Sequence, residues 1–152
     1  MHFTTTTLTA LLPLLAMGAP TTPRDTISMA ADGAQWTIQS MQRVCNAADT
    51  SCKWTFGINT NTAGAATTPC AFVVAAAAGV AASRAPETGA QCGGFQVTSG
   101  WSGQFGEGNG FTTLSVVDTA KRLIAWPAYS DADLAGGKVV VPDRSFAVQK
   151  LP

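Results

Sequence analysis

The sequence predicts an all-β fold: a small antiparallel β-barrel, or a sandwich, of seven to eight strands with two disulfides. Three observations lead there. Short runs alternate apolar and polar residues with period two, the pattern of a strand with one buried face. Thr, Val and aromatic residues dominate those runs, whereas Glu, a strong helix former, occurs only at Glu87 and Glu107. Gly, Pro and Asp separate the runs at short intervals. With 152 residues, 46% of them hydrophobic, the chain can bury one core. It shows neither repeat nor linker, so residues 25–152 are expected to form a single domain.

Residues 1–18 read as a signal peptide. Leu8 to Met17 is an apolar run too short to span a bilayer, interrupted by Pro13 and followed by Ala16 and Gly18 at the −3 and −1 positions of a cleavage site. Residues 19–24, APTTPR, form either a pro-segment ending at Arg24 or a disordered arm. No second long apolar stretch follows, so the expected product is secreted and extracellular, with no membrane span.

The strands follow in order. Gln35–Gln39 places Trp36 and Ile38 on one face, and Lys53–Asn59 places Trp54, Phe56 and Ile58 inward. Residues 60–69 form a turn-rich connection, and Cys70–Ala76 is a buried strand around Phe72 and Val74. Residues 76–90 are Ala-rich; propensity favours helix, but Gly79 and Pro86 limit it to two turns. Phe95, Val97 and Trp101 share a face. Strands are expected at Phe111–Val117, Leu123–Trp126, Lys138–Val141 and Ser145–Val148.

The four cysteines, Cys45, Cys52, Cys70 and Cys92, suit two disulfides in an exported chain, formally in any of three pairings. The spacing of Cys45 and Cys52 around a loop between two strand-like runs lets a local bridge close a hairpin, leaving Cys70 and Cys92 to pair by default. No C-x-x-C pair accompanies them, so no metal site is expected.

Candidate chemistry is sparse. The one histidine is His2, inside the expected leader, which removes Ser-His-Asp, Cys-His and His-ligated metal chemistry from the mature chain. Charged residues are only 12% and balance to a net charge of zero, which argues against a nucleic-acid partner. The run SGWSGQFGEGNGF resembles a phosphate loop in glycine content alone. It leads into a strand-like run rather than a helix, so it reads as a long hairpin loop that Phe105 and Phe111 pin to the barrel. Trp101 either packs or binds a ligand at the surface. Asp131 and Asp133 are the only close carboxylate pair, as a glycosidase or a calcium site would need. The simpler reading is a capping box, with Ser130 as the cap, Asp133 three residues on, and Gly136–Gly137 ending the turn. Trp126 and Tyr129 flank Pro127; with Trp101, Asp131 and Asp133 they make up the candidate contact surface. No catalytic residue and no cofactor are expected.

From Trp36 to Leu151 the chain resembles the small secreted hypersensitive-response-inducing elicitors of plant-pathogenic ascomycetes, most closely a rice-blast member. The likeness rests on WTIQ, on the four cysteines in this order, on CKWTFGINT, on SGWSGQFGEGNGFTTLSVVD and on RLIAWPAYSDADL with VVVPD. It implies a disulfide-bonded β-barrel perceived by plant cells, with defence responses and local cell death. The expected partner is a plant cell-surface receptor or another apoplastic component, and the expected state is a monomer. The alternative function is a carbohydrate-binding or expansin-like wall protein of the cerato-platanin type, for which Trp101 and Trp126 would have to align as exposed rings.

Overall fold

A computed structural model describes the backbone of residues 30–152 and the side chains from residue 33. The expected leader (1–18), the arm (19–24) and the expected domain start at residue 25 lie outside the described residues. The described chain is all-β. Its strands are β1 (Ala30–Cys45), β2 (Ser51–Asn59), β3 (Thr68–Ala75), β4 (Glu87–Cys92), β5 (Phe95–Ser102), β6 (Phe111–Asp118), β7 (Leu123–Ala125), β8 (Ala128–Ser130) and β9 (Arg144–Lys150). One short 3₁₀ turn, Ala135–Gly137, precedes β9.

All pairings are antiparallel, and the strand order is β3-β2-β1-β9-β7-β6-β5-β4, with β8 also on β6. Strands β7 and β8 pair with successive stretches of β6, so they act as one wall strand interrupted by Trp126–Pro127. The sheet curls into a nearly closed barrel whose seam lies between β3 and β4. The bridge Cys70–Cys92 spans that seam, where no strand ladder runs, while Cys45–Cys52 joins directly opposed residues of the β1–β2 hairpin. Both expected pairings are present.

Period-two alternation fills the interior. Trp54, Phe56 and Ile58 of β2, Phe95 and Val97 of β5, and Leu114 and Val116 of β6 are all buried. Trp36 and Phe95, from strands far apart in the sheet order, meet edge to face with centroids 5.2 Å apart, so side chains occupy the middle of the barrel.

Strand β1 changes face part-way. Gln39 pairs with Gly57 but Gln42 pairs with Thr55, so β1 carries one extra residue. Ser40 takes a left-handed conformation there (φ 51°), and its N–H donates to Asp143 Oδ1 at 2.8 Å. The bulge moves the buried positions from Trp36 and Ile38 to Met41 and Arg43.

Three segments differ from the sequence expectation. Residues 76–86 are not helical: a single bridge, Ala77–Val80, and a turn precede β4, which begins at Glu87 inside the Ala-rich stretch. Their backbone groups bond outward to the β1–β2 hairpin loop, Ala76 N–H to Thr50 O and Ala82 N–H to Asp49 O, and those bonds replace a helical ladder. Lys138–Val141 is not a strand. Only Val140 is buried; its N–H donates to Met41 O at 2.8 Å, and Pro142 follows with no N–H to extend a ladder. Leu123–Trp126 stops as a strand at Ala125, ahead of Pro127.

Candidate functional site

The registers bring the hairpin loop after β1, the Ala-rich connection, the glycine-rich β5–β6 loop and the segment after β8 to one end of the barrel. This upper end gathers the side chains with the most chemistry. Trp101 keeps the inward parity of Phe95, Val97 and Ser99 but stands at the last positions of β5, so it caps the interior rather than filling it.

Trp101 is held from several sides. Its indole Nε1–H donates to Asp131 Oδ2 at 3.0 Å, and the Arg84 guanidinium lies 4.6 Å above the ring. Gly103 and Gly110 back the ring; a Cβ on Gly110 would sit 2.7 Å from the indole, and one on Gly103 would sit 2.5 Å from its far edge. These two glycines of the long loop are therefore required by the tryptophan. Asp131 is anchored further by its own N–H on Gly110 O, 2.9 Å. Arg43 NH1 approaches Asp131 Oδ1 at 3.8 Å and donates to Ser83 O at 3.0 Å. Arg43 is only 7% exposed and also sits 5.5 Å from the Trp54 ring centre. Desolvation by burial lowers its pKa, and the nearby Asp131 and Asp49 carboxylates oppose that shift.

The Arg84–Trp101 stack forms the shared wall of two open clefts. One, of about 300 Å³, also touches Glu107, Asp131 and the loop glycines; the other, of about 420 Å³, lies against Gly79, Val80 and Ala81. Arg84 is exposed and makes no ion pair among the described residues. An exposed cation–π contact of this kind stabilises by only about 0.5–1 kcal/mol.

Asp133 belongs to a separate network. Ser130 N–H donates to Asp133 Oδ2 at 2.9 Å and Asp133 N–H donates back to Ser130 Oγ at 3.1 Å, the reciprocal capping box read from the sequence. The turn ends at Gly136 and Gly137, both left-handed (φ 68° and 66°). Arg144 at the start of β9 clamps the same carboxylate with two bonds, 2.6 and 3.0 Å. Hydrogen bonding from Arg144, ahead of that from Ser130, lowers the Asp133 pKa to about 2, although burial opposes it. A group held ionised in this way is the opposite of a general acid, which needs a raised pKa.

The five expected contact residues therefore divide. Trp101 and Asp131 come together at the upper cleft, and Asp133 is occupied by Ser130 and Arg144. Trp126 is 50% exposed but lines neither cleft beside Trp101, so the two rings form no common platform. Tyr129 is corrected from contact candidate to core residue: it is 1% exposed, packs on Phe146 and has its pKa raised chiefly by burial. Phe105 does pair with Phe111, at 5.6 Å, yet remains 67% exposed.

Arg43, Arg84 and Arg144 complete these networks and were not singled out from the sequence. As isolated charges they carry no spacing signal. Only the bulge in β1 turns Arg43 inward, and only the return of β9 brings Arg144 to Asp133.

Comparison with known proteins covers most of the barrel, from within β1 to just past β9. A family model described as Effector TSP1 matches residues 37–151. The chain is similar to a protein named Effector TSP1 from Hypocrea virens (strain Gv29-8 / FGSC 10586): 48% identical over 153 residues, covering 100% of this chain and 100% of that relative.

Proposed function

The chain belongs to the Effector TSP1 family, a family of fungal effectors, and on that premise we propose that it is a secreted, non-catalytic elicitor perceived by plant cells through the upper end of its barrel. In this reading an apoplastic component or cell-surface receptor of the plant binds the folded protein as a monomer, and defence responses with local cell death follow. The likeness to the rice-blast elicitor belongs to this proposal. The disulfides suit an oxidising, protease-rich exterior.

One observation carries the proposal. Among the described residues the loops of the upper end expose two large apolar side chains, Val80 of the Ala-rich connection and Phe105 of the β5–β6 loop, with Val44 one residue before that end; Val73, Trp126, Val139 and Val141 are exposed along the walls. Phe105 is the most exposed of the three at or next to that end, at 67%. Exposed apolar side chains grouped in this way mark interaction surfaces.

The test is infiltration of leaves with Val80→Ser/Phe105→Ser protein beside wild type and a Val141→Ser control on the wall. The double variant is expected to keep its melting temperature within about 2 °C, since exposed positions change stability little, and to lose most cell-death activity. Full activity in a folded double variant rejects recognition through this end.

A further inference from the structure

We propose that the upper end carries a saccharide-binding groove built on Trp101 alone, distinct from an aligned Trp101–Trp126 pair, which the structure does not form: an uncharged pyranose chain lies along the two clefts beside Trp101 and takes the ring face that Arg84 covers. Trp101 has the features of a stacking platform. Its indole N–H is already bound to Asp131, Gly103 and Gly110 pack against it, and a solvent-exposed guanidinium with no ion-pair partner among the described residues is its removable cover. When Arg84 swings aside, the clefts of about 300 and 420 Å³ that it separates become one open groove with the ring as floor. An open groove accepts a chain, whereas a closed pocket accepts a single ring. The C–H face of a pyranose packs on an aromatic face through the same apolar and electrostatic contacts that bring aromatic side chains together.

The charges select an uncharged chain. The groove lining carries Arg84 against Glu107 and Asp131, with the buried Arg43 3.8 Å from Asp131, so it presents donors and acceptors to hydroxyl groups without a positive field to attract a polyanion.

The experiment is a titration of ¹⁵N-labelled protein, following the Trp101 indole resonance, assigned with a Trp101→Phe variant, together with the backbone amides of Gly79, Val80, Ala81, Gly106 and Gly108 on the cleft walls, which report also in variants that lack the indole. The probes are cellohexaose, chitohexaose and hexagalacturonate. A saturable shift of that resonance with at least one of the two neutral hexamers is expected at up to millimolar concentration. Arg84→Ala should bind within about threefold of wild type or tighter, because its side chain must leave the ring face. Trp101→Ala should bind about tenfold more weakly or worse. Val80→Trp, a change on an exposed cleft wall, should weaken binding as well and covers the case in which Trp101→Ala does not fold. No shift with either neutral hexamer, an equal or higher affinity for hexagalacturonate, or unchanged affinity in folded Trp101→Ala overturns the groove. The readout needs no plant, so a protein active on leaves but silent in the titration rejects the groove and leaves the effector reading standing.

Discussion

Removing Cys70–Cys92 should open the barrel at its seam. The bridge closes a loop with sequence separation 22, whereas Cys45–Cys52 closes one of 7. Loop-closure entropy then gives about 3.4 kcal/mol for the long bridge and about 2.4 kcal/mol for the short one. The tertiary context widens the difference. Cys45 and Cys52 sit in a hairpin that its own ladder already holds, but β3 and β4 share no ladder, and the bridge is their covalent link. For roughly 120 ordered residues the unfolding entropy is about 0.25 kcal/mol per kelvin, so loss of the long bridge should lower the melting temperature by about 13 °C. The measurement is urea unfolding of Cys70→Ala/Cys92→Ala and Cys45→Ala/Cys52→Ala, with hydrogen exchange of each. The long-bridge variant should lose more stability, and its β3 and β4 amides should lose protection first. If it proves the more stable of the two, or if β3 and β4 exchange like the central strands, the seam argument fails.

Two further outcomes follow from the site. Asp133 has its pKa lowered to about 2 from an ordinary value of 3.8, so its contribution is whole above pH 4 and is lost as pH falls through 2. Its side chain is 26% exposed, which discounts the contribution to about 1–2 kcal/mol; thermal unfolding of Asp133→Asn should show a correspondingly flatter profile between pH 4 and pH 2, and an unchanged slope refutes the Arg144 clamp. Gly110→Ala must push Trp101 and Asp131 apart and should cost about 1–3 kcal/mol with a change in the near-ultraviolet circular dichroism of Trp101; a neutral result means the ring is free to move.

What the sequence determined on its own was whatever depends on near neighbours in the chain. Period two in Gln35–Gln39 and Lys53–Asn59 identifies inward faces because successive strand side chains must point opposite ways. The Ser130–Asp133 box is legible because both partners lie within one turn, and the Cys45–Cys52 bridge because a hairpin sets its own register. The tertiary structure decided what depends on groups that meet only after the sheet closes. The extra residue in β1 has no signature in composition, yet it reverses the strand's faces and buries Arg43. The Ala-rich stretch has helical propensity, but hydrogen bonds to Asp49 and Thr50, distant in sequence, outweigh a preference worth only tenths of a kcal/mol per residue. Trp101 meets Asp131 across 30 residues and Arg84 across another loop, so its change from a core position to the cap of a cleft follows from barrel closure, which places the ends of strands, and not their middles, beside solvent.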